Sequence, residues 1–418
     1  MFRSGLIPVL FFLLWFCALL LSYGCTSGGN AEVGQERHLT RENTAELFDK
    51  PLDRMQVALL DLAFECASKI PVYPHIKDRS KTQELVVQTC LELDQPKRAL
   101  AYMERIDDWR RGACRADLAY YLAEKGLMSL VQQHLEVAER IAEATDDWRR
   151  DTIRVKIAKT HALIGNREKA SEFEEGVVES ETGKVVAVLA GKESEDTFTE
   201  QANQLESLVS TGSFDLVKNA LEGWTQIFDH YYHDVPKRER AERAVKNSWE
   251  KIPIFIRVEL LTAMAKTALE HQDPAKALSL ADEAQQFVES HQWRLEHRIP
   301  LVAPLITIWH QAGDHEKACQ TAETLRSLYD QESTGIVNIY RAGALRPLAE
   351  SYALVGDATS AVSLYARAVE EGIANPNSRP RAEDLSATCA SMAKCTVAPS
   401  ANLWTRIREI YEGLGDPW

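Results

Sequence analysis

The stretch from Leu348 to Ala368 constrains this chain more than any other. It reads as two short amphipathic helices joined by a tight Gly356-Asp357 turn. Small residues (Ala349, Ala353, Ala361, Ala368) sit where the two backbones would meet. Apolar residues at helical spacing give each helix one stripe. Alanine at a crossing lets helix axes approach to roughly 8–9 Å. Glycine supplies the left-handed conformation that ends the first helix, and the following Asp can cap the second. A single such pair cannot bury its own stripe, so it needs stacked neighbours.

Degenerate copies provide them. Arg341 precedes Ala349 by eight residues, and Leu348, Tyr352 and Tyr365 complete that copy. The same register starts at Arg298, with Leu305, Trp309, Gly313-Asp314, Ala318 and Ala322. It starts at Arg257, with Met264, Ala265, Ala268, Asp273, Ala277 and Ala281. Towards the N-terminus it starts at Arg150 (Ile157, Ala158, Ala162, Gly165, Ala170) and at Arg111 (Leu118, Ala119, Ala123, Gly126, Ala138). A weaker copy starts at Arg79 (Val86, Val87, Cys90, Ala99), and a last half-copy at Arg381. The runs Asp107 to Arg111 and Asp146 to Arg150 are both Asp-Asp-Trp-Arg-Arg and fix a local repeat of 39 residues.

These copies resemble tetratricopeptide repeats, with small residues in both helices, a Gly-Asp turn, an aromatic in the first helix and Pro376 beyond the second. They depart from that family in their length of 39 to 43 residues, and in an aromatic that often precedes the repeat Arg. The resemblance implies an all-α fold, a right-handed α-solenoid of tandem helix-turn-helix repeats. It also implies a groove that binds peptides or proteins. The expected organisation is a signal segment at 1–24, a polar tether at 25–50, repeats over 51–190, an irregular helical middle at 191–256, and further repeats with a closing helix over 257–418. Helices at both ends are expected to cap the stripes.

The N-terminus is a targeting segment. Arg3 supplies a positive start, and Leu6 to Leu21 is an uncharged apolar run of sixteen residues, short for a bilayer span of roughly 20 but suited to a signal core. Ser22-Tyr23-Gly24-Cys25 then resembles a bacterial lipoprotein signal, which implies lipidation at Cys25. It departs from that pattern at Ser22 and Tyr23. An ordinary cleavage site or an uncleaved anchor is also compatible, and each reading puts the remainder outside the cytoplasm. The expected location is therefore the bacterial cell envelope, membrane-anchored by lipid or secreted.

The formal charge of −14, from 48 basic and 62 acidic residues, disfavours nucleic acid as a partner. The cysteine spacings suggest neither a disulfide framework nor a metal site. Arg79, Arg111, Arg150, Arg257, Arg298 and Arg341 each occupy the first turn of a helix, where a cation opposes the helix dipole. They read as inter-repeat structural bridges or carbonyl caps, with a ligand-facing ladder as the other option. Trp224, Tyr231, Tyr232 and Trp293 form a candidate aromatic patch for a sugar, peptide or other small ligand, or are core. His230, His233 and Asp234 share a segment but lack a second ligand cluster, so no metal and no cofactor is expected. No nucleophile, Walker loop or dinucleotide fingerprint is present, and catalysis is not expected. The expected function is a helical-repeat scaffold for a protein or peptide partner. The alternative is a lipoprotein that binds a small ligand or glycan.

Overall fold

The computed structural model describes residues 47–178, 181, 183–190 and 198–418. The signal, the lipidation site and most of the tether lie outside the described residues. Asp49–Trp418 forms one compact unit, and every regular element described in it is a helix. Expected repeat blocks and irregular middle alike belong to that unit.

Each repeat contributes a first helix and a second, antiparallel helix. The first helices are α2 (Val72–Glu92), α4 (Arg110–Glu124), α6 (Asp147–Leu163), α8 (Lys184–Ala190), α10 (Phe214–His230), α12 (Ile254–Glu270), α14 (Leu295–Gln311), α16 (Asn338–Leu354) and α18 (Ser378–Lys394). The second helices are α3 (Pro96–Met103), α5 (Met128–Glu143), α7 (Arg167–Glu174), α9 (Phe198–Thr211), α11 (Val235–Lys246), α13 (Pro274–Glu289), α15 (His315–Glu332) and α17 (Ala358–Ile373). Residues 198–246, expected to lose the register, thus supply α9, α10 and α11 in the same alternation.

Along the chain each first helix packs on the next, from α2 round to α18, and α18 packs back on α2. The solenoid is closed into a ring. The expected caps therefore become a seam. Helix α1 (Arg54–Lys69) takes the second-helix place beside α18, burying Leu59, Leu60, Ala63, Phe64, Cys66 and Ala67. Gln56 Nε2 donates to Ala393 O at 2.9 Å and to Thr396 Oγ1 at 3.2 Å. Lys394 pairs with Glu92 at 2.7 Å, and Lys69 Nζ donates to Tyr411 O at 2.6 Å in α19 (Ala401–Glu412).

The local chemistry follows the repeat. Ala158, Ala265 and Ala349 are fully buried and Ala318 is 2% exposed, so side chains at these crossings stop at Cβ and helices close in. Gly165, Gly313 and Gly356 end first helices at φ +83°, +96° and +90°. Copies lacking glycine put Asp94 or Gln272 at the same left-handed position. One residue later a side chain caps the second helix: Asp273 Oδ1 accepts from Lys276 N at 3.0 Å, Asp357 Oδ1 from Ser360 N at 3.0 Å, and Asn166 Oδ1 from Lys169 N at 3.2 Å, as polar caps do for orphan amides.

Because every second helix runs back, the first helices run parallel and begin on one face of the ring. We call that face the entry rim, and the face bearing the Gly-Asp turns the turn rim.

Candidate functional site: the lumen and the entry rim

The closed ring gives the first helices one face towards a central lumen, and that face is charged. Arg110 Nε donates to Glu84 Oε2 at 3.0 Å, while Lys156 Nζ lies 4.0 Å from Glu84 Oε1 and 2.5 Å from Asp117 Oδ2. Gln88 Nε2 donates to the same Asp117 oxygen at 2.5 Å. Helices α2, α4 and α6 are thus tied by one polar network. Burial pushes the Glu84 carboxyl up, against the pull of Lys156 and Arg110. Burial also opposes the Lys156 ammonium, but Asp117 and Glu84 outweigh it, and its pKa stands above the ordinary lysine value.

Further round, Lys159 on α6 has its ammonium 5.4 Å from the Tyr120 ring centre on α4 and shares its electrostatic surroundings with Glu222 of α10 and Lys184 of α8. Burial lowers its pKa. On α12, burial raises Glu259 to about 7; Lys218 pulls it down and Glu222 pushes it further up. Burial, and then Lys394 of α18, lowers the pKa of Lys266, also on α12, against the pull of Glu350 of α16, Glu270 and Glu92 of α2.

The entry rim differs in character. Tyr73 at the start of α2 is 90% exposed, and Trp148 at the start of α6 is 50% exposed. Between them Trp109, preceding α4, meets Trp148 edge-on at 5.4 Å. On the other side of α2, beyond α18, Val337 and Ile339 at the start of α16 are 51% and 47% exposed. The two tryptophans belong to the duplicated Asp-Asp-Trp-Arg-Arg runs.

The candidate residues from sequence divide sharply. Trp224 is fully buried and Tyr232 is 3% exposed, so of the two options open for them, ligand patch or core, these two side chains take the core. Tyr232 stacks on His271 at 4.3 Å, and its hydroxyl donates to Asp273 Oδ2 at 2.9 Å. Tyr231 meets Phe198 edge-on at 5.1 Å, under the Lys237 ammonium. Trp293 Nε1 donates to Val288 O at 2.9 Å within its own connection. Among the described residues no group of three or more His, Cys, Asp or Glu is arranged to hold a metal.

Half of the repeat arginines close a loop. Arg257 Nε donates to Ile252 O at 3.1 Å, Arg341 Nε to Ile336 O at 2.8 Å, and Arg79 Nη1 to Ile70 O at 2.8 Å and to Ser68 O. Each satisfies carbonyls of the segment just before its helix, which offsets the dipole penalty. Among the described residues Arg111, Arg150 and Arg298 make no such bond. Arg150 Nε donates to Asp151 Oδ1 at 3.0 Å, and Arg298 Nε is buried without a hydrogen-bond partner. One turn on, Arg154 Nη2 donates to Glu172 O and Glu175 O at 3.0 Å each, at the end of α7 and not in the segment before α6. Arg341→Ala should accordingly cost about 1–3 kcal/mol, since it orphans the carbonyl of buried Ile336. Arg298→Ala should cost under about 1 kcal/mol. Urea denaturation of the two variants checks the difference, and equal losses would contradict it.

The lumen residues Glu84, Asp117, Lys156, Lys159 and Glu259 were not singled out from sequence. For Lys159 alone a signal existed: the residue nine places after each repeat Arg is Gln88, Tyr120, Lys159, Lys266, Thr307 or Glu350, polar or phenolic in each copy.

A separate cavity of about 300 Å³ is lined by Ile373, Arg381, Arg406, Ile410, Gly413 and Leu414. Its arginines are committed: Arg381 Nε donates to Asn375 O at 2.5 Å, and Arg406 holds Glu370 at 2.8 and 3.2 Å.

A closed ring of helical hairpins with a charged lumen is a helical-repeat protein of the all-α solenoid class. No protein-family model matches the chain, and no curated protein matches it. A solved structure described as a circular tandem repeat protein with novel repeat topology and enhanced subunit contact surfaces is similar at 13% identity, over 86% of this chain and 95% of that one, with a TM-score of 0.27.

Proposed function

We propose that the protein is a non-catalytic scaffold of the tetratricopeptide-like kind, held at the cell envelope through Cys25, which docks a protein or peptide partner on its entry rim. The observation that carries this reading is the aromatic arc of Tyr73, Trp109 and Trp148 at the starts of the neighbouring first helices α2, α4 and α6, with Val337 and Ile339 exposed further round at α16. Aromatic side chains that stand in solvent beside charged neighbours make effective interface anchors. Closure removes the long open groove expected of such repeats, so a partner would meet a rim of the ring and not a concave face. Among the described residues no helix is long and apolar enough to cross a membrane.

A photo-crosslinking side chain placed at Trp148 should yield discrete adducts from envelope fractions, and the same group at Thr359, exposed on the turn rim, should not. Adding Tyr73→Ala should weaken the Trp148 adduct several-fold without altering the melt. Equal labelling at both rims would overturn the reading.

A further inference from the structure

The cavity of about 300 Å³ lined by Ile373, Arg381, Arg406, Ile410, Gly413 and Leu414 sets aliphatic walls beside two guanidiniums whose commitments are unequal. Arg406 holds Glu370 at 2.8 and 3.2 Å and Glu409 at 3.4 Å. Arg381 spends only its Nε, on Asn375 O at 2.5 Å. A guanidinium also donates from Nη1 and Nη2, and in Arg381 these have neither a hydrogen bond nor an ion pair among the described residues. Asp384, which borders the same arginine, is held by Arg346 at 2.9 Å. Two other copies of the repeat arginine are better supplied. Arg341 sends Nε to Ile336 O at 2.8 Å, Nη2 to Thr334 O at 3.4 Å and Nη1 to Glu371 Oε2 at 3.4 Å. Arg79 Nε lies 3.6 Å from Asp107 Oδ2. A carboxylate thus completes the arginine in those copies. In the last copy none does, and the guanidinium borders a cavity instead.

We propose that this cavity binds a small aliphatic monocarboxylate, with its carboxylate on Arg381 Nη1 and Nη2 and its chain among Ile373, Ile410 and Leu414. The planar guanidinium offers a carboxylate two parallel N–H bonds, which a point charge cannot do. Water occupies about 30 Å³ per molecule, so a cavity of about 300 Å³ has room for roughly ten non-hydrogen atoms, a carboxylate and a chain of about seven carbons. The walls set the limits of the class. A second carboxylate at the far end would be driven against aliphatic side chains and lose its water. An amine would meet the Arg381 cation, and an alcohol of equal length would forfeit the charge-assisted bonds. A free alkanoic acid and a carboxylate-ended apolar residue of a larger molecule share this chemistry. The cavity shares no residue with Tyr73, Trp109 or Trp148, so loss of either proposal leaves the other standing.

Calorimetric titration of the full chain with octanoate and N-acetylleucine, beside butyrate, suberate, octylamine and 1-octanol, provides the test. The tighter of the first two should exceed each of the other four ten-fold or more. Preference for octanoate or for N-acetylleucine separates a free alkanoic acid from the end of a larger molecule. Arg381→Gln should weaken that binding at least ten-fold. Because it also removes the bond to Asn375 O, Ile373→Phe serves as the second variant: it keeps Arg381 and fills the cavity. Binding to it should fall at least ten-fold, with a melting temperature at or above the parent's. No binding by either carboxylate, octanol or octylamine binding as tightly as octanoate, or undiminished binding to folded Ile373→Phe or Arg381→Gln would overturn the assignment.

Discussion

A chain shortened to begin at Pro71 is expected to lose its cooperative melt and to self-associate. Helix α1 supplies Leu59, Leu60 and Phe64 to the seam, each at most 1% exposed. Burying these three side chains is worth roughly 5–9 kcal/mol. Their removal also uncovers the stripe of α18, where Leu385, Cys389 and Ala393 are buried against it. In an open array, losing a terminal helix trims one nearest-neighbour interface and leaves the rest nearly intact. In a ring it leaves two unprotected edges. Light scattering with a circular-dichroism melt checks the outcome, and a synthetic peptide spanning residues 51–70 should restore the monomer and the melt. A shortened chain that stays monomeric with an unchanged transition would rule out the seam as an important closure.

Trp224→Ala carries the other large expectation. The indole is fully buried on α10, with Arg240 over its ring at 5.9 Å. Truncation of a buried tryptophan should cost about 3–5 kcal/mol in urea denaturation. Trp148→Ala, at the half-exposed rim, should stay within roughly 1 kcal/mol while weakening partner adducts. A Trp224 variant with parental stability would return that residue to the surface patch suggested by its neighbours in sequence.

What could be read from sequence was the periodic part. The small residues at 158, 265, 318 and 349 face inward as expected because only a helix crossing explains their recurrence, and the Gly-Asp turns carried their own backbone requirement. Closure was not legible. It depends on a small rotation between successive hairpins accumulating to a full turn, and no single residue encodes that. The aromatic cluster at 224–232 misled because sequence records hydrophobic bulk without saying which face of α10 is covered. The lumen was half visible. The polar residue after each small one marks a solvent-facing stripe, but whether that stripe looks outward or across a ring at other first helices depends on closure. Lys159 and Glu259 therefore looked like ordinary surface charges on α6 and α12. The arginine register was clear, while which copies use it to close the preceding loop was not: Arg79, Arg257 and Arg341 do, and Arg150 binds Asp151 instead.

The seam has a consequence for how the molecule is made. Gln56 and Ala393 are partners 337 residues apart, so the side of α1 that faces α18 stays uncovered until nearly the whole chain exists, although α2 and Tyr102 of α3 cover its other side early. At a usual elongation rate of about 5–20 residues per second, that is a wait of roughly 17–70 seconds. Through that interval the face of α1 that α18 will cover stands open beside an unfinished arc of helices. The last geometric event in biogenesis is thus the meeting of the oldest and youngest parts of the polypeptide.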